Sequence, residues 1–215
     1  MSDRVVSLNV GQPTQVPYRG NMISTGIFKY PVEGRLMLRA TGFDGDGQAD
    51  PTVHGGVEMA AYVYSQDAYD AWMAELGHPL QPGEFGDNLT VTGLTDDQVQ
   101  VGDTLRIGDA LVQATSPREP CYKLGIRMGD TRFPARFREA NRMGFYLRVL
   151  EEGAIGAGDT AAIVARADDS FTIAEFHHIY VTGRDDRAAL NRLANAPGLP
   201  ETWADWTAKR LAELG

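Results

Sequence analysis

Cys121 is the only cysteine among 215 residues, and it stands in the run Ser116-Pro-Arg-Glu-Pro-Cys-Tyr-Lys-Leu124. A single thiol has no intrachain disulfide partner, so it is either a small packing group or a seat of chemistry. Pro117 and Pro120 lack amide hydrogens and disfavour helix and central-strand pairing, which predicts a stiff loop around the thiol. Arg118 and Lys123 flank it with positive charge. Such charge stabilises the thiolate, the form that attacks electrophiles and ligates metals. The neighbours of Cys121 therefore favour chemistry, with inert packing as the alternative.

Other segments offer further candidates. Gly42-Phe-Asp-Gly-Asp-Gly-Gln-Ala-Asp50 holds three glycines and three aspartates. Glycine tolerates positive φ and lets backbone approach a ligand closely. Asp44, Asp46 and Asp50 superficially resemble a calcium loop. The glycine at its sixth position and the glutamate at its twelfth are missing, which argues against calcium. Val53-His54-Gly55-Gly56 comes next, where an imidazole and freed amides suit an oxyanion or phosphate; a plain turn is the alternative. The chain contains no G-x-S-x-G elbow, which removes the hydrolase reading. In Gly83-Glu-Phe-Gly-Asp-Asn-Leu89, the Asn88 amide either satisfies loop backbone or meets the edge of a heterocycle.

Lysine is scarce, with only Lys29, Lys123 and Lys209 present, so Lys29 and Lys123 stand out as anchors for an anionic group. His78 follows a helix-ending glycine and reads as surface. His177 and His178 are adjacent in a predicted helix, where neighbours point about 100° apart and do not share a metal. No zinc spacing occurs.

Net charge is −9, which argues against binding nucleic-acid polymers or anionic membranes. Charge is unevenly placed. Residues 116–148 hold eight cationic side chains against three acids, an excess of +5 around the only thiol. That excess suits a small anionic ligand, with a solvated arginine-rich helix as the alternative. No apolar run reaches membrane-spanning length, and the polar start Met-Ser-Asp-Arg is no signal peptide. With one cysteine, the expected setting is reducing and cytoplasmic.

The elements that must position these residues read as mainly β. Short runs rich in β-branched and aromatic residues predict strands over 5–10, 26–32, 59–64, 89–91, 104–107, 110–115, 144–150 and 160–165. Gly102-Asp103, Gly108-Asp109 and Gly158-Asp159 mark turns between them. Many short strands predict a closed or nearly closed barrel. Helices are expected over 67–76, stopping at Gly77, and over 134–142. Beyond residue 168 the pattern becomes helical. Thr172-Ile-Ala-Glu175 matches a capping box, a second helix spans 185–194, and Pro200 opens a third bearing Trp203 and Trp206. The two tryptophans read as packing rather than as a ligand box. The expected division is a β-barrel domain at 1–168 and a three-helix domain at 169–215.

Five motifs occur in a telling order: G-F-D-G-D-G-Q-A-D-P-x-V-H-G-G (42–56), G-E-F-G-D-N-L (83–89), V-G-D-x-L-R-I-G (101–108), S-P-R-E-P-C-Y-K-L (116–124) and G-F-Y-L-R-V-L-x-x-G (144–153). Together they resemble the MOSC-domain proteins, named for the C-terminal domain of molybdenum cofactor sulfurases. The chain looks most like the YiiM-like branch, in which a MOSC β-barrel precedes a three-helix domain. The resemblance runs from about residue 5 to 214. It implies a cleft holding the molybdenum cofactor, and reduction of N-hydroxylated compounds such as hydroxylamines, amidoximes and N-hydroxylated base analogues.

By the same resemblance Cys121, matching the cysteine of the mitochondrial amidoxime-reducing component, is the expected metal ligand and catalytic residue. Lys29, Asp46, His54, Gly55, Gly56, Asn88, Arg118 and Lys123 are the expected cofactor-binding set. One departure is visible, in that the family's Gly-Glu-Asn-Leu is here Gly86-Asp87-Asn88-Leu89. A soft thiolate suits the metal, and Arg118 and Lys123 would offset the cofactor's charge. With no dinucleotide fingerprint and too few cysteines for an iron–sulfur cluster, the electrons are expected from an external flavin or iron–sulfur protein. Two alternatives stay open: a sulfur carrier with a persulfide on Cys121, and a molybdenum-cofactor binding module without turnover.

Overall fold

A computed structural model describes residues 3–50 and 55–215; the expected site residue His54 lies outside the described residues. In chain order come β1 (Val5–Val10), β2 (Thr14–Tyr18), β3 (Asn21–Thr25), β4 (Tyr30–Pro31), β5 (Arg35–Arg39) and β6 (Gly42–Phe43). A 3-10 turn (Val57–Met59) leads to β7 (Ala61–Ser65), α1 (Gln66–Leu76), β8 (Leu89–Val91), β9 (Thr104–Ile107) and β10 (Ala110–Pro117). Next are α2 (Tyr122–Arg127), α3 (Phe133–Glu139), β11 (Phe145–Glu151), β12 (Gly153–Gly156) and β13 (Ala161–Ala165). Three helices end the chain: α4 (Ile173–Val181), α5 (Arg187–Ala194) and α6 (Glu201–Glu213).

The largest sheet has the order β13-β9-β10-β11-β7-β8-β1-β4, antiparallel except where β7 runs parallel to β8. It curls back on itself. Arg4 bridges Thr160, and the Val5 amide donates to the Asp159 carbonyl at 2.9 Å, so the start of β1 meets the approach to β13. A smaller sheet, β12-β5-β6, and the β2–β3 hairpin complete the β structure. The hairpin turns on Arg19 (φ 49°) and Gly20 (φ 82°), the two positive φ values that a two-residue primed turn demands. This mainly β shell with helices matches the fold class read from the sequence.

Two apolar clusters hold the molecule. Inside the curled sheet, Leu8, Leu105, Ile107, Val112, Phe145 and Leu147 are buried. Ile173, Phe176, Leu190 and Leu193 of α4 and α5 belong to the same cluster, so the terminal helices share the sheet's core. Burying each such side chain contributes about 1.5–3 kcal/mol. The second cluster packs Trp72, Phe85, Phe133 and Phe137 against Tyr64 and Tyr69, binding α1 and α3 to β7.

Local rules account for several boundaries. The Ser65 hydroxyl accepts from the Ala68 amide to start α1, and Gly77, at φ 74°, stops it. The Thr172–Glu175 capping box forms at the start of α4. Trp203 and Trp206 pack edge-on against Phe176 and Tyr180, so their role is packing. The strand expected over 26–32 shrinks to Tyr30–Pro31, because residues 26–29 leave the sheet, and Gly26, Ile27 and Lys29 line a cleft. The hairpin, β5, β6, β12 and the short helix α2 lie outside the elements expected from the sequence.

Candidate active site

Strand β10 carries register shifts at Leu111/Val112 and at Ala114/Ser116 against β11. Such bulges bend a strand and re-aim the residues beyond them. After Pro117 the chain leaves the sheet, crosses Arg118-Glu-Pro120 and enters α2 at Cys121, whose backbone is still extended (φ −113°, ψ 173°). The proline loop predicted around the thiol therefore forms. It is tied down at both ends, since the Arg118 amide donates to the Gly144 carbonyl at 3.2 Å and the Leu124 amide to the Cys121 carbonyl at 3.0 Å. Behind it, buried Asp96 accepts from the Met143 amide at 2.5 Å and from the Gly144 amide at 3.0 Å. Desolvation raises its pKa from the usual carboxylate value to about 6 despite those bonds.

This loop forms one wall of a cleft of about 690 Å³, counted out to its open mouth. Of the expected site residues, Cys121, Arg118, Lys123, Lys29, Asn88 and Gly55 all line it. Gly56, with φ 84°, instead faces an adjoining hollow beside Arg39 and Phe43. Asp46 also borders that hollow, and it touches the cleft only through its hydrogen-bond partners.

The two sides of the cleft are chemically different. On one, Lys29 Nζ donates to both Asp46 oxygens at 2.5 Å, and the two side chains are only 8% and 5% exposed. Asp46 also accepts from the Gly11 amide at 2.9 Å and from Asn88 Nδ2 at 2.9 Å. Asn88 Oδ1 accepts from the Tyr62 amide at 3.1 Å, and Nδ2 donates to the Asn9 carbonyl at 3.3 Å. Of the two uses open to the Asn88 amide, bracing the wall is the one realised. Neighbouring Asp87, fully buried, accepts from Tyr69, Thr90 and Asn9, and burial raises its pKa. The shorter carboxylate of this chain thus works inside the wall.

On the other side the cations face the cleft without a carboxylate partner among the described residues. The Arg118 guanidinium lies 5.4 Å over the Tyr62 ring and 5.5 Å over that of Phe137, in cation–π geometry. Its Nη1 is buried with no hydrogen-bond partner. Among the described residues, neither Arg118 nor Lys123 has a carboxylate partner. Burial raises the pKa of the Tyr62 and Tyr146 hydroxyls beside this guanidinium, and its charge opposes the rise.

The positive excess of residues 116–148 is largely cancelled in space. Arg127 pairs with Glu84, Arg136 and Arg142 with Glu75, Arg138 with Glu119, and Arg148 with Glu58. What faces the cleft is therefore a pair of cations beside a thiol, not a general basic patch. The aspartates of the glycine-rich stretch are likewise committed, Asp44 to Arg39 and Asp46 to Lys29. No group of three or more metal-binding side chains occurs among the described residues.

Sequence reasoning misses Glu119, Tyr62, Tyr146 and Gln48 as cleft residues. Gln48, Glu119 and Tyr146 lie inside three of the five motifs, which is the signal that could have found them. His177 carries no functional reading in the sequence, yet it is buried, its Nδ1 is 2.5 Å from Asn141 Oδ1, and desolvation lowers its pKa to about 4.

The model of the MOSC domain family matches residues 50–162, and that of the YiiM-like, 3-alpha helix domain matches residues 172–214. The chain is 37% identical over 199 residues to the uncharacterized protein YflK of Bacillus subtilis, covering 93% of this chain and 90% of that one. It is 34% identical to a protein of Gibberella moniliformis named "Reductase", over 85% of this chain but 33% of that longer one. The crystal structure of YiiM from Geobacillus stearothermophilus is similar with a TM-score of 0.83 at 33% identity, covering 97% and 99% of the two chains. No helix among the described residues is long and apolar enough to cross a membrane.

Proposed function

The chain belongs to the MOSC-domain family in its YiiM-like form, and from that premise we propose that its cleft holds a molybdenum cofactor and reduces N-hydroxylated compounds. One observation carries this reading: Cys121 shares a cleft with two cations that, among the described residues, lack carboxylate partners, one of them with a buried nitrogen left without a hydrogen bond. A buried unsatisfied guanidinium nitrogen costs stability unless a ligand completes it. MOSC domains are associated with binding this cofactor, and a relative named "Reductase" supports the oxidoreductase class.

The residues present fit the group. Cys121 offers the soft ligand that molybdenum takes. Arg118 and Lys123 would hold the cofactor's anionic phosphate, Arg118 through the free Nη1. Gly26 and Gly47 keep the floor low. A Cβ added at Gly26 would come within 2.6 Å of the Gly47 carbonyl oxygen, so the two backbones meet only because side chains are missing. The Lys29–Asp46–Asn88 brace fixes the opposite wall without spending charge on the ligand. When bound, the cofactor supplies the two electrons that, with two protons, convert a hydroxylamine to its amine and water. Those electrons come in turn from a flavin or iron–sulfur donor protein.

The test has two steps. Protein expressed in cofactor-competent cells should carry molybdenum and pterin near one per chain. Supplied with a reducing partner, it should convert an amidoxime or hydroxylamine to the amidine or amine. A persulfide on Cys121 with no molybdenum would overturn the reading in favour of sulfur transfer.

A further inference from the structure

Glu119 is out of place in a cleft that takes an anion. It lies between Arg118 and Cys121 in the chain and lines the same space. A flexible carboxylate next to an unpaired guanidinium would ordinarily turn onto it, since charge-assisted bonds to arginine are the strong ones. Here it does not. Arg138 donates to Glu119 Oε2 from Nε at 3.3 Å and from Nη2 at 3.0 Å, and Nη2 also reaches the Pro120 carbonyl at 3.5 Å. On the other side, His177 Nε2 of α4 stands 3.7 Å from Glu119 Oε1, and both atoms are buried without a hydrogen-bond partner. Asn141, itself at φ 51°, contacts His177 Nδ1 at 2.5 Å and fixes that ring. Arg138 of α3 and His177 of α4 thus converge behind one carboxylate.

Resting on the cofactor reading of the cleft, we propose that Arg138 is a positioning residue that holds Glu119 back from Arg118, with the His177 ring packed beside the same carboxylate. The guanidinium is thereby reserved for the anionic group of the ligand. Without this rear clamp, the Glu119 carboxylate would compete for Arg118 as an internal anion and close the site to phosphate. The clamp also ties the terminal helices to the cleft, because the His177 ring of α4 stands beside the Glu119 carboxylate that lines it.

In the full-length protein the effect has a definite sign, read by calorimetric titration with inorganic phosphate and, separately, by molybdenum and pterin content. Arg138→Met should weaken phosphate binding about tenfold, a coupling of the size expected between neighbouring charges. Adding Glu119→Gln to it should restore binding to that of Glu119→Gln alone, which should equal or exceed the wild type. His177→Gln should act in the same direction as Arg138→Met but less strongly, and should also be rescued by Glu119→Gln. If Arg138→Met merely loosens the loop, the double variant will bind as weakly as the single one, and the clamp is overturned. Unchanged binding in Arg138→Met, with wild-type binding intact, overturns the clamp alone. A wild-type protein that holds neither phosphate nor pterin overturns the clamp together with the cofactor reading. Far-ultraviolet circular dichroism and thermal melts confirm that each variant is folded.

Discussion

The two sides of the cleft use the same residue types to opposite ends. Lys29 and Asp46 form a nearly dry pair, and every polar atom of the Asn88 side chain is used inside the wall. Across from them, among the described residues, Arg118 keeps an unmatched nitrogen and Lys123 has no acid partner. A buried pair broken by removing one member leaves an uncompensated charge, so the first side is built for stability. The second side carries an unsatisfied donor on an arginine with no carboxylate partner among the described residues, which leaves it open to an anionic ligand. Proximity to the cleft therefore does not identify a ligand contact; a cleft-lining cation without a carboxylate partner among the described residues is the better sign.

The sharpest way to test the contrast is to remove the reactive atom itself. Cys121→Ser should depress turnover of an amidoxime by more than the roughly 10–100-fold that loss of an outer partner costs a metal site. A hydroxyl is hard and rarely ionised, so it replaces a soft thiolate poorly. Molybdenum per chain should fall in parallel while the melting temperature stays close to wild type. Full activity in this variant would end the metal-ligand assignment.

The braced side should respond in stability instead. Asp46→Ala strands Lys29 in a site where it is 8% exposed, and also frees the Gly11 amide and the Asn88 amide. The expected cost is about 3–5 kcal/mol, measured by urea denaturation. If Asp46→Ala kept full stability but lost the cofactor, the assignment of the two sides would have to be exchanged.

How much of the molecule is legible in its sequence depends on the range of the interactions. The strands Leu89–Val91 and Thr104–Ile107 and the Thr172–Glu175 capping box rest on neighbours in sequence, and they form where the sequence predicts them. The triad Arg118, Cys121 and Lys123 is visible because one short stretch of chain, the loop and the start of α2, carries it. The β2–β3 hairpin is not, because its exposed pattern lacks apolar alternation and it contains Pro17. Helix α2 is six residues long, contains Gly125 and has no side-chain cap, so no start signal marks it. The cancellation of the arginine excess is invisible in sequence because Glu58, Glu75 and Glu84 come from distant elements. Charge counted along a chain does not predict charge in a cleft.

The contrast between satisfied and unsatisfied groups extends to two buried titrating residues, with opposite signs. Asp96 has its pKa raised to about 6, above its unfolded value, so its contribution to stability is full below about pH 4 and is lost as pH rises through 6. His177 has its pKa lowered to about 4, so its contribution is full above about pH 6.5 and is lost as pH falls through 4. Each is worth about 3 kcal/mol at roughly 1.4 kcal/mol per pKa unit. In the wild type the two oppose one another between about pH 4 and 6. Asp96→Asn should leave stability rising with pH across that window, and His177→Gln should leave it falling. Denaturation midpoints taken at half-unit intervals would show it, and parallel profiles for the two variants would refute the assignment.

The smallest effect is the most discriminating. Lys123 lines the cleft, has no carboxylate partner among the described residues, and lies in the six-residue helix α2. Lys123→Ala should therefore change folding stability by no more than about 0.5 kcal/mol, as substitutions away from packed or paired sites usually do. A charge-assisted bond to a ligand anion contributes about 1.5–3 kcal/mol, so cofactor retention should fall by roughly tenfold or more. Lys29→Ala makes the converse case, since it strands Asp46 and should cost stability first. Cofactor content and melting temperature, measured on both variants side by side, separate the two lysines. If Lys123→Ala melted early and kept its pterin, the unspent side of the cleft would be a structural wall like the other, and the ligand would have to be sought elsewhere.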